Sequence, residues 1–243
     1  MTLITLGSVA GSPGVSRLAI GLAASWPEPD RRRVLLEADP DGGRLGAELG
    51  IGVEPGLIAV ALASRTSGLT SDEVIERGAA AVGDWFVMPA PPSSEQTASV
   101  LVHAGSALAR LVAGDPGGPV WIVDAGRLST RSPALPFAKD ADRVVLVSAG
   151  AFPALQLLPH RVDALRSAGC DVSVVIVEPT SWPVDEIADF VGADVAATVP
   201  RVNGRSDGLG AMAGSGWRTW WRRVEDLASY LAFAVASDGI TVP

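Results

Sequence analysis

The sequence predicts an α/β protein with a doubly wound, mostly parallel sheet and helices on both faces. Three observations carry that expectation. Short apolar runs alternate with helix-period segments along the 243 residues, which is the pattern of strands joined by helical crossovers. No hairpin signal is read between neighbouring runs, so the crossovers are expected to be right-handed and the strands parallel. The chain also opens on a strand, a small-residue loop and a helix, a layout that gathers backbone N–H groups at a helix N-terminus, where an anion can sit.

The elements follow in order. Leu3–Leu6 is an apolar run that reads as a buried strand, and Gly7–Gly14 is the loop. The helix after it carries Leu18, Ala19, Leu22 and Ala23 along one side. Val34–Leu36 is a second strand, ending in Glu37-Ala38-Asp39-Pro40-Asp41-Gly42-Gly43. Acidic residues and a glycine turn at a strand end mark the place where parallel sheets hold ligands, although Asp39 or Asp41 could equally cap a helix. Gly56–Ala63 and Ser71–Val82 read as helices, the second opened by Ser71, Asp72 and Glu73. Trp85–Met88 is a strand stopped by prolines. Ser94 is expected to cap a long helix to about Val112 with one buried face.

Val120–Asp124 is an apolar strand ending in aspartate. Val144–Val147 is the next strand, Phe152–Ser167 a helix, and Val172–Val177 and Val195–Val199 two more strands. Asn203–Gly216 is rich in glycine and serine, and Trp217–Ala234 reads as the C-terminal helix of a single domain spanning 1–243. His103 and His160 each fall on a helix with no second ligand at metal spacing, so both read as structural.

Composition narrows the function classes. The net charge of −8 argues against a general nucleic-acid binder, which would want a basic face. A single cysteine, Cys170, allows no intrachain disulfide and suits a reducing compartment. No signal peptide is visible and no apolar run reaches membrane-span length, so a cytoplasmic protein is expected. Of the 19 basic residues only Lys139 is lysine, a bias toward arginine that leaves the apolar residues of the first loop unexplained.

That loop, Val9-Ala10-Gly11-Ser12-Pro13-Gly14-Val15-Ser16, resembles the deviant Walker A motif, G-K-G-G-x-G-K-[ST], of the MinD/ParA-like (SIMIBI) P-loop ATPases. Gly11, Gly14 and the Mg²⁺-ligating hydroxyl of Ser16 match. Both lysines are absent: Ala10 stands at the signature position and Val15 where the phosphate-gripping lysine belongs. Glu37 and Asp39 resemble the family's D-x-D-P segment, with Asp39 at the carboxylate near the attacking water. The strand ending in Asp124 resembles Walker B, whose aspartate holds Mg²⁺. Further departures follow. Glu178 replaces the asparagine that reads the base, and Val202 an acidic residue after the last strand.

The resemblance covers nearly the whole chain and implies a P-loop NTPase-like fold. It also implies a nucleotide site at Gly11, Ser12, Gly14, Val15, Ser16, Arg17 and Asp124, with Ser16 and Asp124 holding Mg²⁺ if nucleotide binds. The chemistry left in the loop is poor. Pro13 has no N–H to offer, and Val15 deletes a charge-assisted contact of roughly 1.5–3 kcal/mol and is expected where phosphate would sit. Arg17 is expected to point away from the loop mouth.

The expectation is a degenerate member, a pseudo-ATPase without a cofactor, acting as a localisation or scaffolding factor on protein partners. TadZ/CpaE relatives of Tad pili are a model for such a role. The alternative is an active, atypical Mg-ATP-dependent ATPase for partitioning or for positioning Tad-pilus or secretion machinery, with Ser16, Asp39 and Asp124 on Mg-ATP. A third reading is a module holding some other anion at the same helix end. With Ala10 in the loop, a dimer bridged by nucleotide is not expected, and a homodimer through the Trp-rich last helix stays open. That helix is expected to pack as core; lying on a membrane surface is the alternative.

Overall fold

The computed structural model describes residues 2–11, 13–63, 69–115, 117–202 and 215–238. Among them, the strands are β1 Thr2–Ser8, β2 Arg33–Glu37, β3 Ala80–Val82, β4 Trp85–Met88, β5 Val120–Arg127, β6 Arg143–Ala149, β7 Val172–Val177 and β8 Val195–Val199. They form one sheet in the order β3-β4-β2-β5-β1-β6-β7-β8, parallel throughout except for β3 against β4. The chain lays β2, β3 and β4 on one side of β1, returns to insert β5 between β1 and β2, and then adds β6, β7 and β8 in turn on the other side. The reversal of order beside β1 opens a crevice at the carboxyl ends of the strands.

Helices cover both faces. One face carries α1 Val15–Ser25, α2 Leu45–Leu49 and α10 Ser215–Asp238. The other carries α3 Leu57–Ala63, α4 Ser71–Gly78, α5 Ser94–Ala113, α6 Leu135–Lys139, α7 Phe152–Leu155, α8 Leu158–Ser167 and α9 Val184–Val191. Alternation along β1 feeds both cores: Leu3 joins one, and Ile4 and Leu6 the other. Thr5 is buried among apolar residues and satisfies its hydroxyl by donating to the Phe137 carbonyl at 3.0 Å.

Three sequence expectations need correction. The segment Ser71–Val82 is not one helix. It is helix α4, then β3, which turns back at Gly83-Asp84 and pairs antiparallel with β4. Gly83 takes φ +63°, a turn conformation that glycine adopts without strain, and the Gly-Asp pair was the missed hairpin signal. The segment Phe152–Ser167 is split into α7 and α8, because Pro159 near the start of α8 cannot donate to a continuing helix. One cap sits a residue earlier than expected: Ser93, not Ser94, accepts from the Gln96 amide at 3.3 Å. Helix α4 does begin at Ser71, behind a capping box of Thr70 with Glu73.

The last helix packs as core. Trp217, Trp220, Val224, Leu227 and Leu231 are buried, and α10 lies against α1 and β8. Trp217 and Trp220 meet edge to face at 5.3 Å. The close approach depends on Gly21 of α1, where a Cβ would come within 2.5 Å of the Trp220 ring. Trp220 is thus inside the fold, so a dimer could use only the other side of this helix, where Arg218, Arg222, Arg223 and Phe233 are exposed. Among the described residues no helix is long and apolar enough to cross a membrane. The glycine-rich segment up to position 214 lies outside the described residues.

Candidate functional site

The first loop leaves β1 after Ser8 and enters α1 at Gly14. Gly11 (φ +68°) and Gly14 (φ +103°) both take left-handed backbone, and a Cβ added at either would meet nothing within 4 Å. Gly14 is the N-cap of α1 and carries no side-chain cap, so the first amides of the helix are available to an external acceptor. Ser12 lies outside the described residues. The loop separates two cavities.

The inner cavity, about 450 Å³, is lined by Gly11, Gly14, Val15 and Ser16 of the loop side, and by carboxylates and arginines from β2, α2 and β5. Asp124, near the end of β5, is buried beneath it. Its Oδ1 accepts from the Gly126 amide at 3.0 Å, while Oδ2 has no partner among the described residues. Burial pushes the Asp124 carboxyl up to about 6, against contacts from the Ser16 hydroxyl and the Gly126 amide that favour the charged form.

Asp39 lies over Gly126, where a Cβ would come within 2.1 Å of its carboxyl carbon. Its Oδ1 accepts from the Asp41 amide at 2.9 Å, closing a local turn. Burial raises its pKa, while Arg44 and Arg127 pull the other way.

Glu37 behaves differently from its expected family role. It is buried, and its carboxylate accepts from the amides of Arg44 (2.6 Å), Leu45 (2.9 Å) and Ala90 (2.9 Å). It ties the start of α2 and the segment after β4 to the end of β2. Burial pushes it up to about 7 in spite of those three donors. Glu37 is therefore a structural clamp that also borders the inner cavity.

Two residues at the start of α1 border the inner cavity. Val15 is 7% exposed, packs with Ile4, Leu6 and Leu18, and still lines that cavity. Arg17 donates to the Val202 carbonyl at 3.0 Å and sits 5.6 Å over the Trp217 ring, tying α1 to α10 while lining both cavities. His103 contacts its own helix carbonyl at Ser99, His160 is exposed, and no metal-binding cluster of His, Cys, Asp or Glu is present among the described residues.

The fit to Mg-nucleotide is split. Ser16 beside an aspartate with a spare buried oxygen suits a Mg²⁺ ion and its water shell. The phosphate side fits in shape and fails in charge. Val15 is committed to the core, Pro13 lacks a donor, and Arg17, Arg44 and Arg127 share the cavity with Glu37, Asp39, Asp41 and Glu48. Arg44 is further tied to Glu48 at 3.2 Å.

The outer cavity, about 680 Å³, lies on the other side of the loop, at the ends of β6, β7 and β8. Its walls include Leu18, Val147, Leu157, Val177, Val199 and Trp220, with Glu178 and Arg201 among its polar groups. Sequence reasoning singled out Glu178 but missed Arg201, Arg44 and Arg127. The signal for Arg127 was its place at the end of the Asp124 strand, in register with Ser8 at the end of β1.

No protein-family model matches the sequence, and no curated protein matches it closely. Solved structures do match in fold. A ParA-family ATPase from Chlorobium tepidum superposes with a TM-score of 0.74 at 18% identity, covering 93% of this chain and 98% of that one. The cell-division ATPase MinD from Pyrococcus furiosus gives 0.74 at 16%, covering 96% and 99%. MinD from Pyrococcus horikoshii, solved with Mg-ADP, gives 0.69 at 15%, covering 94% and 95%. The chain has the MinD/ParA type of P-loop NTPase-like α/β fold, built here around a loop without lysine.

Proposed function

We propose that this protein is a pseudo-ATPase: a MinD/ParA-like scaffold that positions a protein partner and turns over no nucleotide. The observation that carries the reading is the loop itself. It keeps the glycine geometry that an anion would need, yet Val15 is packed into the core and Ala10 carries no charge. A lysine there would neutralise charge developing on a transferred phosphoryl group, and its loss weakens the transition state more than the ground state. The chain acts as one domain in a cytoplasmic setting, with binding to protein rather than to nucleic acid. One of its structural neighbours, from Aquifex aeolicus, was solved as a MinC:MinD complex, which supports a partner-binding role for the fold. Localisation of a machine of the Tad-pilus kind is the specific role we favour.

The measurement is ATP turnover by the purified protein with Mg²⁺. Turnover at background is expected. Turnover above background that disappears in Asp124→Ala would overturn the proposal in favour of an active ATPase using Ser16, Asp39 and Asp124. A second variant tests the cause. Val15→Lys is expected to gain Mg-ATP affinity by tenfold or more in calorimetry, since one charge-assisted contact contributes about 1.5–3 kcal/mol.

A further inference from the structure

Outside the two cavities, an aromatic cluster on the surface serves no purpose at the first loop. Phe152 at the start of α7, Trp182 just ahead of α9 and Phe190 within α9 form one group. Their ring centroids lie 5.5 Å apart for Phe152 and Trp182, 5.7 Å for Trp182 and Phe190, and 6.4 Å for Phe152 and Phe190. The backbone brings these segments together. Gly150, after β6, donates its amide to the Val177 carbonyl at 2.9 Å, and a Cβ there would come within 2.7 Å of Thr180. The Trp182 amide donates to the Thr180 hydroxyl at 3.2 Å, which fixes the turn into α9.

Trp182 packs against the core, but Phe152 is 50% exposed and Phe190 is 40% exposed. Single exposed apolar residues are ordinary on a protein surface. Contiguous aromatic rings with a polar border are the anatomy of an interface. These rings also brace one another, so little side-chain freedom is left to lose on docking.

The border selects the charge of the partner. Asp185, Glu186 and Asp189 are exposed on α9, and none enters a salt bridge among the described residues. Asp185 and Glu186 lie in the first turn, where the helix dipole favours acids. Asp189 lies in the last turn, where the dipole opposes it. It also follows Asp185 by four positions and Glu186 by three, so like charges meet on one side of the helix. Helix stability alone therefore disfavours Asp189. Arg166 of α8 is engaged at the far end of α9, where it donates to the Gly192 carbonyl. An acidic border repels an anionic lipid surface, and it repels a second copy docking patch to patch.

We infer that the Phe152–Trp182–Phe190 surface docks a basic amphipathic helix of a partner protein. The apolar side of that helix covers the rings, and its Lys or Arg side chains meet Asp185, Glu186 and Asp189. This rests on the scaffold reading and supplies the partner surface which that reading needs.

The probe is a labelled leucine–lysine amphipathic helical peptide, titrated against the full chain by fluorescence anisotropy. A leucine–glutamate peptide of the same pattern is the charge control. The leucine–lysine peptide is expected to bind in the micromolar range, about tenfold or more tighter than the control. Phe152→Ser with Phe190→Ser is expected to weaken it by about tenfold or more. Asp185→Asn, Glu186→Gln and Asp189→Asn together are expected to do the same and to flatten the salt dependence. Amide substitutions at Glu76, Glu225 and Asp226, exposed acids on α4 and α10, remove the same charge elsewhere. They are expected to change the affinity by less than about twofold. Thermal melts identify a variant that fails to fold, and the acid triple at exposed positions carries the test if the phenylalanine pair does. Equal binding of both peptides, an equal loss from the remote acids, or no binding at millimolar concentration overturns the inference. So does a wild-type mass that rises with concentration in sedimentation and falls in Phe190→Ser, which would assign the patch to a second copy. Each of these results leaves the scaffold reading standing, because ATP turnover tests that reading separately.

Discussion

The two cavities flanking the first loop differ in what holds them. The inner one is framed by carboxylates whose positions the fold itself depends on. Glu37 satisfies three buried amides, and Asp124 sits under Ser16 at the end of a central strand. The outer one is framed by apolar core with charges confined to its rim. Buried polar residues are costly to replace because each substitution strands a hydrogen-bond partner. Rim residues that line a cavity without such partners carry no penalty of this kind.

The comparison can be broken most sharply through the wall that the outer cavity shares with the core. Trp220 is 3% exposed and fills the space left by Gly21. Trp220→Ala is expected to cost about 3–5 kcal/mol in urea denaturation. A loss below about 1 kcal/mol would mean that the outer wall is no part of the core.

Next in size is the clamp. Glu37→Gln keeps the volume but turns an N–H₂ toward amide donors, and is expected to cost about 1–3 kcal/mol at pH 8, where the carboxylate is ionised. Unchanged stability would show that its three hydrogen bonds are not needed to hold α2.

The smallest effect is the pH dependence. Glu37 and Asp124 are raised by burial to about 7 and about 6, from ordinary values of 4.5 and 3.8. The fold therefore binds their protons more tightly than the unfolded chain does. The stability this contributes is fully present below about pH 4 and is lost as pH rises through about 6 and 7. Denaturant midpoints should show a gain of about 1–3 kcal/mol at pH 5.5 over pH 8, with a shallower slope in Asp124→Asn. Stability that falls on acidification across this window would reverse the assignment of burial as the dominant cause.

Much of this protein was legible from residue order alone. Continuous apolar runs separated by helical periods specified a parallel sheet covered on both faces, because such strands have no polar side to give to water. The small-residue loop before Leu18 and the aspartate ending Val120–Asp124 located the crevice. Short-range geometry was harder to read. The Gly83-Asp84 hairpin was hidden in a helix-like pattern, and its turn depends on one positive φ.

Only the tertiary structure decided the roles of individual side chains. Glu37 and Asp39 look alike in sequence, two residues apart at a strand end. One is turned inward onto three amides and the other lies on Gly126 at a cavity. Val15 packs in the core while bordering the inner cavity, and Arg201 shares one recess with Glu178 because β7 and β8 lie side by side in register. Sequence fixes periodicity and composition, which are local. Which carboxylate is buried, and which charges become neighbours, depends on the packing of distant segments.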